Sequence, residues 1–153
     1  MTTRILFVCL GNICRSPAAQ GVFRARAPGV ETDSCGTGDW HLGEPPYGPM
    51  RQAASARGYD ISDMRARQLH PRDFDGFDLI IAMDDTNLRN IEALRPTGNA
   101  TPVRLLTDYL ADAEADHVPD PYYTRDFDGV LDLIERAAEG LASRLSSMPE
   151  TNR

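Results

Sequence analysis

The sequence predicts an α/β fold in which helices cover both faces of an open parallel sheet. Short apolar runs of strand length alternate along the chain with longer stretches of helical character, the pattern of consecutive strand–helix–strand units. A length of 153 residues suits one hydrophobic core, and neither repeats nor a low-complexity linker divides the chain. We therefore expect a single domain over residues 1–147, followed by a frayed tail at 148–153.

Four segments are predicted as strands of this sheet. The first, residues 4–9, is a short apolar run with β-branched and aromatic side chains, which is typical of a buried strand. The segment FDLIIAM at 77–83 is the clearest inner strand, the segment at 30–36 is a weaker one, and residues 102–106 are predicted as the fourth. The prediction is therefore a four-stranded sheet whose strands are joined through helices.

Helices are predicted between the strands and at the end of the chain, over residues 16–27, 49–58, 84–94 and 127–145. In the first helix we expect Ser16 as the N-cap and Pro17 as the first helical residue, where its missing N–H costs nothing. Asp84 or Asp85 is the expected N-cap of the third helix. The last helix carries an apolar stripe along one face, as a helix packed on a core requires.

The composition excludes several classes of function. A formal net charge of −7 argues against a nucleic-acid partner, and no run of ~18 apolar residues predicts a membrane span. All 16 basic residues are arginine, so a lysine nucleophile and a P-loop lysine are both excluded. The apolar run near the N-terminus is too short for a signal peptide, so we expect a cytoplasmic protein with reduced cysteines. The spacing of Cys9, Cys14 and Cys35 does not predict a metal site.

The segment VCLGNICRSP at 8–17 joins the first strand to the first helix and contains a C-x5-R-S pattern. A strand, a short loop and a helix N-terminus form a concave set of backbone N–H groups, where the helix dipole favours an anion. Gly11 and Asn12 tolerate the left-handed backbone that such a loop needs. Arg15 would grip two oxygens of a tetrahedral oxyanion. The sequence therefore predicts a phosphate-binding loop after the first strand.

Cys9 lies at the end of the first strand, at the edge where parallel α/β sheets bind their ligands. The helix dipole and the cation of Arg15 favour its thiolate, and the Ser16 hydroxyl could hydrogen-bond the sulfur. A nucleophilic thiolate beneath a bound phosphate predicts phosphoryl transfer through a cysteinyl-phosphate. The alternative is a buried packing cysteine, but the Gly-Asn turn and the Ser-Pro helix start favour catalysis.

A phosphocysteine route also needs a general acid for the leaving oxygen, and VPDPYYTRDFD at 118–128 offers one. Asp120 lies between two prolines, and a residue before proline is pushed towards extended geometry, so we expect it outside a helix. The prolines, with Tyr122 and Tyr123, make a stiff and partly apolar loop that favours the protonated carboxyl. Alone, Asp120 would be read as an ordinary turn residue; the catalytic interpretation depends on Cys9 and Arg15.

Together, VCLGNICRSP and the DPYY at 120–123 resemble the low-molecular-weight protein tyrosine phosphatases, and the segments at 36–46, 66–69 and 83–91 are similar to that family in the same order. The resemblance implies a small Rossmann-like three-layer fold with a four-stranded parallel sheet, no cofactor and no metal. It implies hydrolysis of phosphotyrosine in protein substrates. Cys9 matches the nucleophile, Arg15 the phosphate-binding arginine and Asp120 the general acid.

The resemblance also implies roles around the loop. The residues matched to the phosphate-binding cradle are Leu10, Gly11, Asn12, Ile13, Cys14 and Ser16. Asn12 and Ser16 match residues that shape the loop and steady the thiolate, and Ser34 resembles a supporting serine that bonds the loop asparagine. Cys14 matches a second loop cysteine that can form a reversible disulfide with Cys9; a packing role is the alternative.

Aromatic walls complete the implied site. Trp40, Tyr122 and Tyr123 match or neighbour the rings that flank phosphotyrosine, and such contacts contribute about 0.5–1.5 kcal/mol each. The alternative is rim packing for Trp40 and an exposed turn for the tyrosine pair. His41 and the other two histidines are expected to be bystanders, because no spacing gives them a metal partner.

Three other functions are open alternatives. Ile13 is similar to tyrosine-specific members of the family, where related protein-arginine phosphatases carry threonine. An arsenate reductase on the same fold would use two further cysteines downstream, and none follows Cys35. A phosphate-binding module without turnover would not require Cys9, Arg15 and Asp120 together. The tyrosine phosphatase interpretation is therefore favoured.

Overall fold

The computed structural model describes residues 2–112 and 115–147, and the predicted tail at 148–153 lies outside the described residues. A four-stranded parallel sheet with helices on both faces confirms the predicted α/β fold. In chain order the elements are β1 (Arg4–Cys9), α1 (Arg15–Arg26), β2 (Glu31–Gly36), α2 (Gly48–Ala56), α3 (Asp73–Gly76), β3 (Leu79–Ala82), α4 (Asp85–Ala93), β4 (Val103–Leu105), a 3-10 turn (Leu106–Tyr109), α5 (Pro121–Thr124) and α6 (Phe127–Ser147).

The strand order is β2-β1-β3-β4, so β1 is an inner strand. Its register sets Cys9 opposite Gly36 of β2 and Val8 opposite Ala82 of β3. All strands are parallel, so their carboxyl ends meet at one edge of the sheet. The order changes direction between β1 and β3, and the crevice at such a switch point is where open α/β sheets bind ligands.

Both faces of β1 are covered, which explains its uninterrupted apolar run. Ile5 and Phe7 pack in the larger core cluster, together with α1, α2 and α6. Leu6 and Val8 point the other way and pack with α3 and α4. The first strand is thus held from both sides of the sheet, and the loop that follows it starts from a rigid base. In the ranges that the structure describes, no helix is both long and apolar enough to span a membrane.

The predicted elements are present with small shifts at their ends, but one cap prediction is wrong. Helix α1 begins at Arg15 with Cys14 at the N-cap position, so Pro17 is its third residue rather than its first, and no side chain caps it. Ser16 is not the N-cap, because its hydroxyl hydrogen-bonds inside the preceding loop instead. Asp84, one of the two predicted caps of α4, does accept the N–H of Asn87. Helix α3, the 3-10 turn and α5 were not predicted, because four residues are too few to show a period.

Candidate active site

The loop between β1 and α1 makes its sharpest turn at Asn12, whose φ is 57°. Asparagine is one of the few non-glycine residues that adopt this left-handed region readily. Gly11 was expected to share that conformation, but its φ is not positive. Gly11 instead makes room for a neighbour, because a Cβ there would lie 3.1 Å from Cδ2 of His41.

The buried side chain of Asn12 holds this turn with three hydrogen bonds. Its Nδ2 donates to Oγ of Ser16 at 2.7 Å and to Oγ of Ser34 at 3.0 Å. Its Oδ1 accepts the backbone N–H of Arg67 at 3.0 Å. Ser34 in turn donates to Oε1 of Gln20 at 2.7 Å. The amide therefore ties the loop to α1, to β2 and to the segment before α3.

Cys9 lies at the bottom of the loop with its sulfur in reach of two donors. Oγ of Ser16 is 3.0 Å from Sγ, and the backbone N–H of Asn12 donates to Sγ at 3.3 Å. Because Ser16 accepts a hydrogen bond from Asn12, its own hydrogen is available to the sulfur. Two hydrogen-bond donors therefore converge on the sulfur.

Arg15 is 3% exposed and lies against the same pocket. Its Nη1 donates to Oδ2 of Asp84 at 2.7 Å and to the carbonyl of Val118 at 3.0 Å, and its Nη2 lies 3.4 Å from Oδ2 of Asp120. Burial alone would lower the pKa of this guanidinium, but Cys9, Asp84 and Asp120 outweigh burial and raise it. The cation is therefore permanent and fixed in direction.

Asp120 occupies the N-cap of α5 in extended backbone geometry, as the flanking prolines predict. Its Oδ1 accepts the N–H of Tyr122 at 3.1 Å, while Oδ2 faces Arg15. The segment that carries it is anchored by Val118, whose N–H donates to the carbonyl of Met83 at the end of β3. One carboxyl oxygen is thus held by the cap and the other points to the pocket.

These groups meet in a pocket of about 400 Å³ lined by Cys9, Leu10, Gly11, Ile13, Cys14, Arg15, Trp40, His41, Asp120, Tyr122 and Tyr123. The structure therefore brings together all the residues predicted for the site except three. Asn12, Ser16 and Ser34 do not line the pocket but support the loop from behind.

The rim of the pocket is aromatic. Trp40 is 69% exposed and its ring lies where a Cβ of residue 38 would be, so it rests flat on Gly38. Tyr122 packs against Tyr123 and Tyr47, with ring centroids 5.3 Å and 5.1 Å away. Trp40 is carried by the loop after β2 and the two tyrosines by helix α5, and all three rings line the same pocket.

Two residues at the site were missed by sequence reasoning. His41 was expected to be a bystander, but it lines the pocket, packs over Gly11 and pairs through Nδ1 with Glu44 at 3.1 Å. Asp84 was predicted only as a helix cap, yet it also holds Arg15. The position of His41 next to Trp40 was the one available signal; nothing in the spacing of Asp84 indicated its partner.

The other two cysteines differ from Cys9. Cys14 is 3% exposed, and burial, followed by the charges of Cys9 and Asp120, raises its pKa to about 12. Burial also raises the pKa of Cys35 well above its ordinary value. All three cysteines are free thiols in this structure. Cys14 and Cys35 therefore remain protonated at neutral pH.

The sequence is similar to a known family of phosphatases. A family model described as low molecular weight phosphotyrosine protein phosphatase matches residues 4–150. The chain is 41% identical over 147 residues to the low molecular weight protein-tyrosine-phosphatase YfkJ of Bacillus subtilis, covering 92% of this chain and 94% of that protein. It is 43% identical over 162 residues to the low molecular weight protein-tyrosine-phosphatase of Streptomyces coelicolor, covering 98% of each.

Solved structures agree with this likeness. The crystal structure of YfkJ from Bacillus subtilis superposes with a TM-score of 0.91 at 38% identity, over 95% of this chain and 96% of that one. A protein tyrosine phosphatase from Entamoeba histolytica superposes with a TM-score of 0.88 at 35% identity, over 95% and 97% of the two chains. The chain therefore belongs to the low molecular weight phosphotyrosine protein phosphatases, a family of hydrolases.

Proposed function

We propose that this enzyme hydrolyses phosphotyrosine monoesters in protein substrates, with Cys9 as nucleophile, Arg15 as the phosphate-binding cation and Asp120 as general acid. The observation that carries this proposal is the convergence of these three side chains on one pocket, although Asp120 lies 105 residues after Arg15 in the sequence. The names of the related proteins support the substrate class.

The first chemical step transfers the phosphoryl group to sulfur. The thiolate of Cys9, steadied by Ser16 and by the N–H of Asn12, attacks phosphorus, and the bond from phosphorus to the tyrosine oxygen breaks. Asp120 gives its proton to the leaving phenolate, through the oxygen that faces the pocket rather than the one held by the N-cap.

The loop amides and Arg15 stabilise the negative charge on the transferred phosphoryl group. Nη1 of Arg15 is committed to Asp84 and to Val118, which fixes the plane of the guanidinium. The contact from Nη2 to Asp120 is long, at 3.4 Å, so Nη2 is the edge that can exchange Asp120 for a phosphate oxygen. Binding of phosphate would thereby free Asp120 to face the leaving group.

The second step is hydrolysis of the cysteinyl-phosphate. Asp120, now a carboxylate, takes a proton from water, whose oxygen attacks phosphorus and expels the Cys9 thiolate. The same Ser16 hydroxyl that steadies the nucleophile stabilises it as a leaving group. No lysine exists to replace any of these groups.

The depth and walls of the pocket support phosphotyrosine as the substrate. Cys9 lies at the pocket floor and is only 3% exposed, whereas the rings of Trp40 and Tyr123 stand at the rim. A phosphorylated aromatic side chain spans that depth and stacks between the rings, whereas phosphoserine is too short to bring its phosphorus to the sulfur. Ile13 adds an apolar surface to the same wall.

We also propose that the enzyme works in the cytoplasm, because its nucleophile must remain a free thiol and reducing compartments maintain that state. Cys14 is proposed as a redox partner of Cys9. Oxidation of Cys9 by a peroxide gives a sulfenic acid, and its condensation with the Cys14 thiol forms a disulfide and releases water. The buried, apolar setting of Cys14 fits a packing role as well.

Replacement of Cys9 with serine tests the covalent route. We expect Cys9→Ser to abolish release of phosphate while inorganic phosphate still binds, because the loop amides and Arg15 remain. Rapid acid quench of the wild-type enzyme with a phosphotyrosine peptide is expected to trap a phosphoenzyme labelled at Cys9. Turnover that survives the substitution would overturn the proposal.

A substrate panel separates the alternatives. Peptides carrying phosphotyrosine, phosphoserine or phosphoarginine are compared at equal concentration, with arsenate and a thiol reductant in a further assay. We expect phosphotyrosine to be hydrolysed fastest. Preference for phosphoarginine, or reduction of arsenate, would assign the enzyme to the corresponding activity instead.

A further inference from the structure

We propose that Arg67, held in place by Asp33 and Asp73, is a positioning residue that sets the direction of the hydrogen bonds leading to Cys9. This inference rests on the proposed role of Cys9 as the nucleophile. Arg67 touches neither the pocket nor the sulfur and acts through Asn12 and Ser16.

The side chain of Arg67 is clamped between two carboxylates. Its Nε and Nη2 donate to Oδ2 of Asp33 at 3.2 Å and 3.1 Å, and its Nη1 and Nη2 donate to the two oxygens of Asp73 at 3.1 Å and 3.2 Å. Asp73 is buried and also accepts the N–H of His70 at 2.8 Å. Burial opposes the charge of Arg67, but its bonds to these carboxylates outweigh burial and raise its pKa. The guanidinium is thus fixed both in charge and in place.

The main chain of Arg67 is fixed as well. Its carbonyl accepts the N–H of Gly36 at 2.8 Å, and the N–H of Leu69 donates to the Gly36 carbonyl at 2.8 Å. These bonds dock the segment alongside the end of β2. The N–H of Arg67 then points at Oδ1 of Asn12, 3.0 Å away.

This contact decides which way the Asn12 amide faces. A backbone N–H can only donate, so the atom opposite it must be the amide oxygen rather than the amide nitrogen. The two hydrogens on Nδ2 of Asn12 must therefore point at Oγ of Ser16 and Oγ of Ser34. A reversed amide would set hydrogens against the N–H of Arg67 and leave it unsatisfied in a partly buried place.

The direction set at Asn12 is passed on to the sulfur. Because Ser16 receives a hydrogen from Asn12, its own hydroxyl hydrogen goes to an acceptor. Sγ of Cys9 lies at 3.0 Å, and the carbonyl of Cys35 is the longer choice at 3.4 Å. With Asn12 reversed, the hydroxyl would donate to the amide oxygen and the thiolate would lose this donor. Arg67 thus directs the Ser16 hydroxyl hydrogen towards Sγ of Cys9 from outside the pocket.

The alternative is that the ion pairs of Arg67 only stabilise the fold. Arg57, which forms similar ion pairs outside the active-site pocket, provides the control for this alternative. Arg57 also holds several carboxylates, donating to Asp132 at 2.8 Å and to Asp128 at 3.3 Å, and it ties the end of α2 to α6. It lines no part of the active-site pocket. Loss of Arg57 removes a comparable set of ion pairs without touching the route to Cys9.

The test compares Arg67→Met, Arg67→Lys and Arg57→Met in an assay that needs no turnover. Labelling by iodoacetamide is followed by mass from pH 4 to 9 (on the order of one unit per step), with peptide mapping to locate the label. Cys14 and Cys35 do not compete, because burial raises the pKa of both thiols. We expect the alkylation profile of Arg67→Met to move up by about one pH unit, with about tenfold slower labelling below its midpoint.

The two other variants decide between positioning and stability. Arg67→Lys keeps the charge but not the fork that spans both carboxylates, so we expect an intermediate shift. Arg57→Met is expected to lower the urea midpoint while its alkylation profile matches the wild type. An Arg67→Met profile that also matches the wild type would overturn the inference. If Arg67→Met does not fold, the alkylation profile of Asp73→Asn is measured instead, with the same expected shift and the same refuting result.

The result is separable from the proposed function. Surviving turnover in Cys9→Ser would remove the nucleophile role, whereas alkylation of Cys9 reports on the sulfur itself in either case. A shifted profile in Arg67→Met with intact turnover in Cys9→Ser would keep the hydrogen-bond route and discard the covalent mechanism.

Discussion

Replacing Gly36 with alanine is expected to displace the phosphate-binding loop without removing any functional side chain. Gly36 ends β2 and lies opposite Cys9 across the sheet. A Cβ built on it would lie 2.7 Å from the carbonyl oxygen of Leu10 and 3.2 Å from the backbone nitrogen of Asn12. Contacts under 3.0 Å are essentially never seen for real Cβ atoms. The obstacle is backbone on both sides, so no side chain can rotate away to relieve it.

The size of the displacement follows from these distances. Ordinary contact begins at 3.4 Å, so the Leu10 carbonyl must withdraw by about 0.7 Å. A misplacement of ~1 Å at a reacting centre costs on the order of 10²-fold in rate, and we expect kcat/KM to fall by roughly 20- to 100-fold. Overpacking of this kind also lowers the free energy of unfolding by about 1–3 kcal/mol.

The assay is hydrolysis of p-nitrophenyl phosphate, with inorganic phosphate as a competitive inhibitor and urea unfolding in parallel. Gly29→Ala is the matched control, because a Cβ at Gly29 meets nothing within 4 Å. We expect Gly29→Ala to keep wild-type kinetics. If Gly36→Ala is folded and keeps kcat/KM within about twofold of the wild type, the inference that β2 supports the loop is wrong.

Three further predictions concern the acid, the second loop cysteine and the rim. Asp120→Asn keeps an N-cap for α5 but supplies no proton, so we expect kcat to fall about 10²–10⁴-fold for phenyl phosphate and much less for p-nitrophenyl phosphate; equal slowing of both esters would contradict its role as acid. The pKa of Cys14 rises on folding from 9.0 to about 12, so the unfolded chain releases this proton first. The free energy of unfolding should therefore fall as pH rises from about 9 towards 12, by up to ~1.4 kcal/mol per pH unit, and Cys14→Ala should show a shallower slope in urea titrations; an unchanged slope would count against it. Trp40→Ala should raise KM for a phosphotyrosine peptide about 2- to 10-fold without lowering the urea midpoint, whereas Leu94→Ala, another exposed apolar truncation, should leave KM alone; an unchanged KM in Trp40→Ala would remove the ring from substrate binding.

Local signals explain what the sequence predicted about the fold. The apolar run of β1 and the stripe of α6 are long enough to show their periods, and both elements lie where they were expected. Helix α3 and α5 escaped notice because a single turn has no period to detect. Both are nevertheless important, since α3 begins with the buried carboxylate of Asp73 and α5 is capped by Asp120.

The wrong prediction for Ser16 has a specific physical reason. A serine before a proline at a helix start is a good local signal for an N-cap. In this fold the hydroxyl has better partners, because Cys9 and Asn12 lie within 3.0 Å of it, and the N-cap lies two residues earlier, at Cys14. Hydrogen bonds within the loop thus outweigh the local preference of serine for the N-cap, as happens at functional sites.

The long-range partners of the site were beyond sequence reasoning. Arg15 and Asp84 are 69 residues apart, and Asn12 and the N–H of Arg67 are 55 apart. Nothing in the spacing along one chain links such pairs; only the strand order, which brings the ends of β1, β2 and β3 together, does so. The segment from Cys9 to Ser16, in contrast, is contiguous, so its pattern could be read directly.

The inner position of β1 determines how this enzyme will lose activity. Its ladder is paired with β2 as far as Cys9 and with β3 as far as Val8, so a large displacement of the sulfur requires that ladder to open. The most slowly exchanging amides of the molecule are therefore expected in β1, next to Cys9, and a partly unfolded chain is expected to lose turnover completely. A denaturation curve followed by phosphatase rate should overlay one followed by circular dichroism, which makes catalysis a direct gauge of the folded population.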